Sequence, residues 1–558
     1  MKRIKDLTKK DKIKYFVILS LLILLIIGTT YAYIKLTIKQ KDINLVETGC
    51  FDVTMINQEN AINLDNSFPL TDEQGRTLTP FTFTLKNNCD LKASYNVNLE
   101  VLSGSTLSSA YVATLVNNGT INTLGDLPKT DTTIKGSIES RTIYKGILAP
   151  GLSVDIGVSI WIDEDATISD NVENTTLKSK VVVVSTPTNI KTKTEEIIAQ
   201  LDTTGKCPSV NEDGSVNVTA KEATNGYLCK AKDAYGDSYY YRGNVTNNYV
   251  KFGTWSNDAK DVVYGYYDES SHDFKEYSSL EECQNASSYN TNCTLISRAG
   301  KDMYWRIVRI NGDGTIRVIY DGTSAHANGE SSEDRQIGAS AFNNNHVDNA
   351  CVGYMYGATG ASTYAAAHAN TNDSTIKAYI DNWYKTNILG TANEEYLADN
   401  VFCNDRSLAG NNTGTGAGAS KSYYRWYNGP WESGGYNSSM KLTCPQQNDA
   451  FTVSDTTNGN GALTYPIGLL STDEIVLAGG WSTSNSGYYL YSGQYWWASS
   501  PFRFDGIDAN VHDVISDGNV FYYSHVDNTF LVRPVFNLKA EVLNNGDGTA
   551  SNPYRPIE

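Results

Sequence analysis

At 558 residues the chain is too long for one ordinary domain, and about 150 residues per domain implies three or four. Its 40% hydrophobic content is enough to build cores, while 37 Tyr and 45 Gly favour strands and turns, which excludes a coiled coil and wholesale disorder. The formal charge is −17, and because the first 41 residues carry ten Lys/Arg against two Asp, the remainder stands at −25, a balance that excludes nucleic acid as a partner.

In chain order, Tyr15 to Ile34 is an uncharged stretch of 20 residues, long enough as a helix to cross a hydrocarbon core of about 30 Å. Lys2, Arg3, Lys5, Lys9, Lys10, Lys12 and Lys14 precede it. The positive-inside rule therefore predicts a cytoplasmic tail and membrane anchor over 1–34, with residues after about 35 outside. A cleaved signal peptide is the competing reading, since Thr30-Tyr31-Ala32 offers small residues at the −3 and −1 positions. Both place the chain at the cell surface or beyond it, single-pass anchored or secreted.

Nine cysteines suit an oxidising exterior. Proximity makes Cys50/Cys89, Cys207/Cys229, Cys283/Cys293 and Cys403/Cys444 plausible pairs and leaves Cys351 odd, although sequence alone does not decide connectivity. No C-x-x-C and no histidine at zinc-ligand spacing from a cysteine occurs, so no metal centre is expected.

Residues 43–187 run in short alternating segments, FTFTLKNN (81–88), SYNVNLEVL (94–102), SVDIGVSIWI (153–162) and KSKVVVVS (178–185), broken by turn residues, which predicts a β-sandwich. The segments GCFDV, AINL, FPLTDEQG and FTFTLKNNC resemble the β-sandwich modules of Gram-positive surface proteins of the camelysin and TasA type, and the resemblance implies a stalk without a site of its own. A linker and small β segment follow over 188–234, beginning with the short amphipathic helix KTKTEEIIAQL. Asp-Gly turns between alternating apolar residues mark hairpins in VNEDGSVNV and YWRIVRINGDGTIRVIYDG. NGDGT at 311–315 and 545–549 lacks the rest of a calcium loop and reads as a turn. Ile376, Tyr379, Ile380 and Trp383 have the spacing of one helical face, and a second helix is expected near 472–478. NNTGTGAGASKS (411–422) follows no strand and opens no helix, so it reads as a flexible surface loop rather than a phosphate cradle.

The chain has no H-E-x-x-H, G-x-S-x-G or P-loop, and its six histidines are scattered singly, so no enzyme activity and no cofactor are expected. YWRIVRINGDGTIRVIY, VGYMYG, FCNDRS, LTYPIGLLSTDEIVLAGG, SGYYLYSGQYWWASSPF and VRPVFNL together resemble a bacterial surface module related to the formylglycine-generating-enzyme branch of the C-type-lectin fold. That resemblance implies an α+β domain over 235–545 whose C-terminal hairpins form a ligand face, followed by a tail, 546–558. The catalytic branch uses a cysteine pair late in its core, whereas the last cysteine here is Cys444. The fold expected for the whole is thus an N-terminal transmembrane helix, a β-sandwich and an α+β C-type-lectin-like domain.

The last hairpins carry a compositional signature. Lys, Glu, Gln, Met and Trp make up 77 of the 558 residues, so 41 positions should hold about five or six of them, yet Ala498–Leu538 holds none. None of these five types has a codon ending in C or T, as expected if Asn codons were randomised at their adenines. A framework of Val511, Val514, Val520, Val526, Val532 and Val535, with Asn510, Asn519, Asn528 and Asn537, alternates with chemically erratic residues. These are Arg503, Asp505, Ile507, Asp508, His512, Asp513, Ile515, Asp517, Phe521, Tyr522, Tyr523, Ser524, His525, Asp527, Phe530 and Leu531. The pattern resembles the variable region of a diversity-generating retroelement target protein. It implies a surface ligand-binding protein of the adhesin or receptor type, with the valines in the core and the sixteen variable side chains facing solvent toward a protein or other surface ligand. The alternative is a structural surface or biofilm-matrix fibre subunit without a hypervariable site.

Overall fold

The computed structural model describes residues 69–88, 92–117, 119–166, 175–187, 192–268, 273–286, 293–427, 438–520 and 522–556, together with strand segments 34–37, 44–46, 51–55 and 63–67. The chain is mostly β, with 37% strand and 15% helix. It divides into two compact units, residues 1–190 and 191–557.

In the first unit a five-stranded sheet runs in the order Phe51–Met55, Phe81–Asn87, Ser153–Ile162, Val112–Val116, Asn122–Thr123. A four-stranded sheet runs Asn44–Val46, Ser179–Pro187, Ala93–Leu102, Ser137–Leu148. Alternation sends Phe83, Leu85, Ile156, Val158 and Ile160 of the first and Val97, Leu99, Val181 and Val183 of the second into one apolar core.

The N-terminal expectation is corrected. No helix among the described residues is long and apolar enough to cross a membrane, so neither a transmembrane helix nor a single-pass anchor is supported. Ile34, expected as the last residue of the span, opens the strand Ile34–Thr37, which pairs in parallel with Thr176–Leu177 and antiparallel with Asn63–Ser67. The β-branched residues of this segment suit a ladder. Residues 15–33 lie outside the described residues, as do Cys50 and Cys89.

The second unit is built on a seven-stranded sheet. Its order is Gly226–Asp233, Gly236–Gly243, Asp302–Ile310, Ile316–Gly322, Val535–Leu538, Ile467–Gly468, with Tyr249–Thr254 also on Asp302–Ile310. Six more strands form a second sheet, in the order Ala339–Ala341, Thr529–Leu531, Trp496–Phe504, Ala509–Val514, Tyr522–His525, with Ser422–Tyr423 on Trp496–Phe504. The expected α+β balance is thus displaced toward sheet. The longest helix among the described residues is Thr375–Asn387, capped by Ser374 and burying Ile376, Ile380, Trp383 and Tyr384 on one face. Residues 192–234 supply strands to this unit, and residues 546–556 are docked on it, with Tyr554 buried and its N–H donating to the Tyr249 carbonyl.

Three Asp-Gly turns share one chemistry. Asp213, Asp313 and Asp547 each accept from the backbone N–H and hydroxyl of the residue two positions on, and Gly214, Gly314 and Gly548 take φ of 81°, 86° and 79°, where a side chain would be strained. The 411–422 loop is packed rather than free, because Ala417 is buried and the Asn349 amide donates to the Gly418 and Ser420 carbonyls. Disulfides join Cys207–Cys229, Cys283–Cys293 and Cys403–Cys444. Cys351 is free and buried, and desolvation pushes its thiol up to about 12.

Candidate functional site

Three of the five strands that the compositionally marked stretch enters, Trp496–Phe504, Ala509–Val514 and Tyr522–His525, pair antiparallel in succession. Trp496 pairs with Val514, Arg503 with Asn510 and Phe504 with Ala509, while Asn510, Val511, His512 and Asp513 pair with His525, Ser524, Tyr523 and Tyr522. The register shifts on either side of Pro501, where a bulge accommodates a residue without an N–H. Asp505 closes the first turn by accepting from the Ile507 and Asp508 N–H groups. Asp517 shapes the next, accepting from Asn519 N–H and the Ser484 hydroxyl.

Val511, Val514, Val520, Val526, Val532 and Val535 are all at most 1% exposed. The erratic residues divide. Ile507 is 70% exposed, His525 and Asp527 are exposed, and Arg503, Asp505, Asp508, Ile515, Asp517, Tyr523 and Ser524 are half-buried. His512, Asp513, Phe530 and Leu531 are buried, against the expectation that all sixteen face solvent. Ala509–Val514 lies between two strands of its sheet and is buried on both faces, so alternation there does not lead a side chain to water. His512 packs edge-on against Trp426 and Phe502 at 5.7 and 5.1 Å, and Phe530 lies on Trp497 at 4.7 Å. Tyr522 is in its strand, and Phe521 lies outside the described residues.

Six of the solvent-facing members, Arg503, Asp505, Tyr523, Asp508, His525 and Asp527, gather into an aromatic cluster and a charged cluster. Tyr523 stacks on Phe502 at 4.1 Å, and the Arg503 guanidinium sits 4.8 Å over Tyr523 with Asp505 at 3.4 Å. Tyr427 meets Phe502 edge-on at 5.6 Å and stacks on Tyr423 at 4.1 Å. Across the patch, His346 lies between Asp527 and Asp508, with His525 beside it. Tyr423, Tyr427 and His346 were missed by sequence reasoning. The aromatic repeat in SYYRWY was an available sign of the first two, whereas His346 carries no local signal.

The motif residues that carried the lectin-module resemblance are scaffold. Arg533 donates to the Tyr320 and Leu490 carbonyls and pairs with Asp321 at 2.9 Å, fully buried. Trp497 donates to the Ser340 carbonyl, the Ser499 hydroxyl to the Cys403 carbonyl, and the Ser500 hydroxyl accepts from Thr472 N–H. Glu474 receives both Arg309 and Arg317, and Asp473 receives Arg425 and the Trp426 indole.

No family model matches the chain, and no curated protein matches it. Among solved structures, the class 5 fimbriae chaperone CfaA is similar at 10% identity over 51% of this chain and 96% of that chain, with a TM-score of 0.09, too low to indicate a shared fold.

Proposed function

We propose that the chain is a ligand-binding protein whose binding face is the patch of Arg503, Asp505, Ile507, Asp508, Tyr523, His525 and Asp527, varied by a retroelement acting on Asn codons. The observation that carries this reading is the coincidence of two divisions. The framework valines are buried, while ten of the sixteen chemically erratic residues are exposed or half-buried. Tyr523 supplies rigid contact area, Arg503 a charge, and the Asp and His groups adaptable hydrogen bonds, the division of labour of an antibody paratope. Three disulfides suit an oxidising compartment outside the cytosol. The role proposed is recognition, with the tightly bonded Arg and carboxylate groups serving the scaffold rather than chemistry.

The coding DNA provides the first test. A near-identical repeat carrying Asn codons at the variable positions, beside a reverse-transcriptase gene, is the expected finding. Close relatives whose differences are spread evenly along the gene would sink the reading.

A substitution series on the full chain provides the second. Tyr523→Ala and Arg503→Ala are expected to abolish capture of a ligand recovered from a surface-protein or glycan screen while costing stability about 1 kcal/mol or less. Val520→Ala and Val532→Ala are expected to do the reverse, at about 1–3 kcal/mol each, and Phe530→Ala to cost about 3–5 kcal/mol. Thermal melts showing Tyr523→Ala more damaging than Phe530→Ala would place the binding face in the core.

A further inference from the structure

Four side chains from three segments gather at one edge of the proposed face. His346 Nδ1 lies 2.6 Å from Asp527 Oδ2, while its Nε2 lies 3.5 Å from Asp508 Oδ1, and His525 Nδ1 lies 3.8 Å from the same Asp508 oxygen. The two imidazole rings stand 6.3 Å apart. Only the first contact is a hydrogen bond, since the other two exceed the normal range of about 2.7–3.2 Å. Two imidazoles thus flank one carboxylate oxygen without bonding to it.

That spacing has a simple chemical reading. Ligand atoms bound at about 2.0–2.1 Å to one tetrahedral ion stand roughly 3.3–3.4 Å from one another. The 3.5 and 3.8 Å separations are close to it. We propose that His346 Nε2, His525 Nδ1 and Asp508 Oδ1 bind a borderline-soft divalent cation of the zinc class, with the fourth position open to water or to a ligand carboxylate. Among the described residues no three such groups already converge on a point, so closure requires rotation of His525, whose side chain is 49% exposed.

Two further features support the assignment. Asp527 on His346 Nδ1 has the arrangement in which a carboxylate orients a metal-binding imidazole and raises its basicity. The backbones are also fixed: Ala509 N–H donates to the His346 carbonyl, Asn343 N–H to the Val526 carbonyl, and the Asp508 N–H is held by Asp505. Two nitrogens and one oxygen favour zinc, nickel or cobalt over calcium and magnesium, which take oxygen sets. A bound ion would pin the Asp505–Asp508 turn, the His525 hairpin and the 343–348 segment together. Asp508, His525 and Asp527 belong to the variable set, so the site is particular to this sequence. It stands whether or not the face is diversified.

The test uses the metal-free full chain titrated with Zn2+ alone by calorimetry, with Ca2+ and Mg2+ in parallel. One zinc per chain is expected to bind at least tenfold more tightly than either hard cation. His346→Asn, His525→Asn and Asp508→Asn should each weaken zinc by at least tenfold, and Asp527→Asn, at the positioning residue, by about tenfold. Zinc affinity unchanged in all four variants would overturn the proposal, as would Ca2+ binding as tightly as Zn2+. If a variant does not fold, the visible spectrum of the Co2+-loaded native chain decides, tetrahedral bands supporting the site and purely octahedral ones overturning it.

Discussion

Replacing Glu474 with alanine is expected to destabilise the second unit by about 3–5 kcal/mol, because it leaves the buried Arg317 guanidinium without its carboxylate and Arg309 with Asp233 alone. Oε1 of Glu474 accepts from Arg309 Nε at 3.2 Å and Arg317 at 2.6 Å, and Oε2 accepts from Ser471 N–H at 3.0 Å to complete the capping box of helix Thr472–Leu477. Both arginines come from the central strands Asp302–Ile310 and Ile316–Gly322, and all three side chains are at most 4% exposed. Burial alone would raise the Glu474 carboxyl, but the Arg317 and Arg309 guanidiniums override it and hold the acid below its ordinary value. A depressed acid contributes stability above its unfolded pKa and loses it as pH falls through the folded one. The native chain should therefore lose this contribution on acidification below about pH 4, whereas Glu474→Ala lacks it at every pH. Hydrogen exchange over 302–322 measures the effect where it arises. Glu474→Ala within 1 kcal/mol of the native chain would mean that Asp233, 2.5 Å from Arg309, balances the network without Glu474.

Such networks show what can be read before folding and what cannot. The helix Thr375–Asn387 was legible because Ile376, Ile380 and Trp383 declare a face within two turns, and the Asp-Gly turns because a carboxylate and the N–H it binds are two residues apart. Glu474 and its partner Arg317 are 157 positions apart, and His346 and Asp527 181, so no local pattern joins them. The same limit explains the misplaced residues of the candidate face. Period two separates the sides of a strand but does not report whether both sides are covered, and His512 is covered by Trp426 and Phe502. At the N-terminus, hydrophobicity over Tyr15–Ile34 suited a membrane helix, whereas Ile34 stands in a strand whose partners, Thr176–Leu177 and Asn63–Ser67, lie far along the chain.

Asp513→Asn is expected to stabilise the chain, by nothing at pH 4 and by several kcal/mol above pH 8. Asp513 is 1% exposed on the doubly covered strand Ala509–Val514, and neither carboxylate oxygen completes a hydrogen bond among the described residues. Desolvation pushes its acid up to about 8, with Ser524 on the paired strand easing the effect only in part. In the unfolded chain the same group titrates near about 3.9. Between these two values the folded state holds a proton that the unfolded state has released, so stability falls as pH rises from about 4 to about 8 and then levels off. Asparagine keeps the shape and cannot ionise, so the variant should lack this slope. Denaturant midpoints for the two chains should coincide near pH 4 and diverge steadily toward pH 8, and parallel curves would show that the carboxyl is already ionised in the fold. The position also bears on the diversification proposed above. One adenine-to-guanine change converts an Asn codon into an Asp codon, and an unpaired carboxylate in a sealed strand is the residue that mutation without regard to burial would leave behind. If asparagine at 513 is the ancestral residue, reverting it should recover stability without altering the proposed face, because the buried side chain does not reach it.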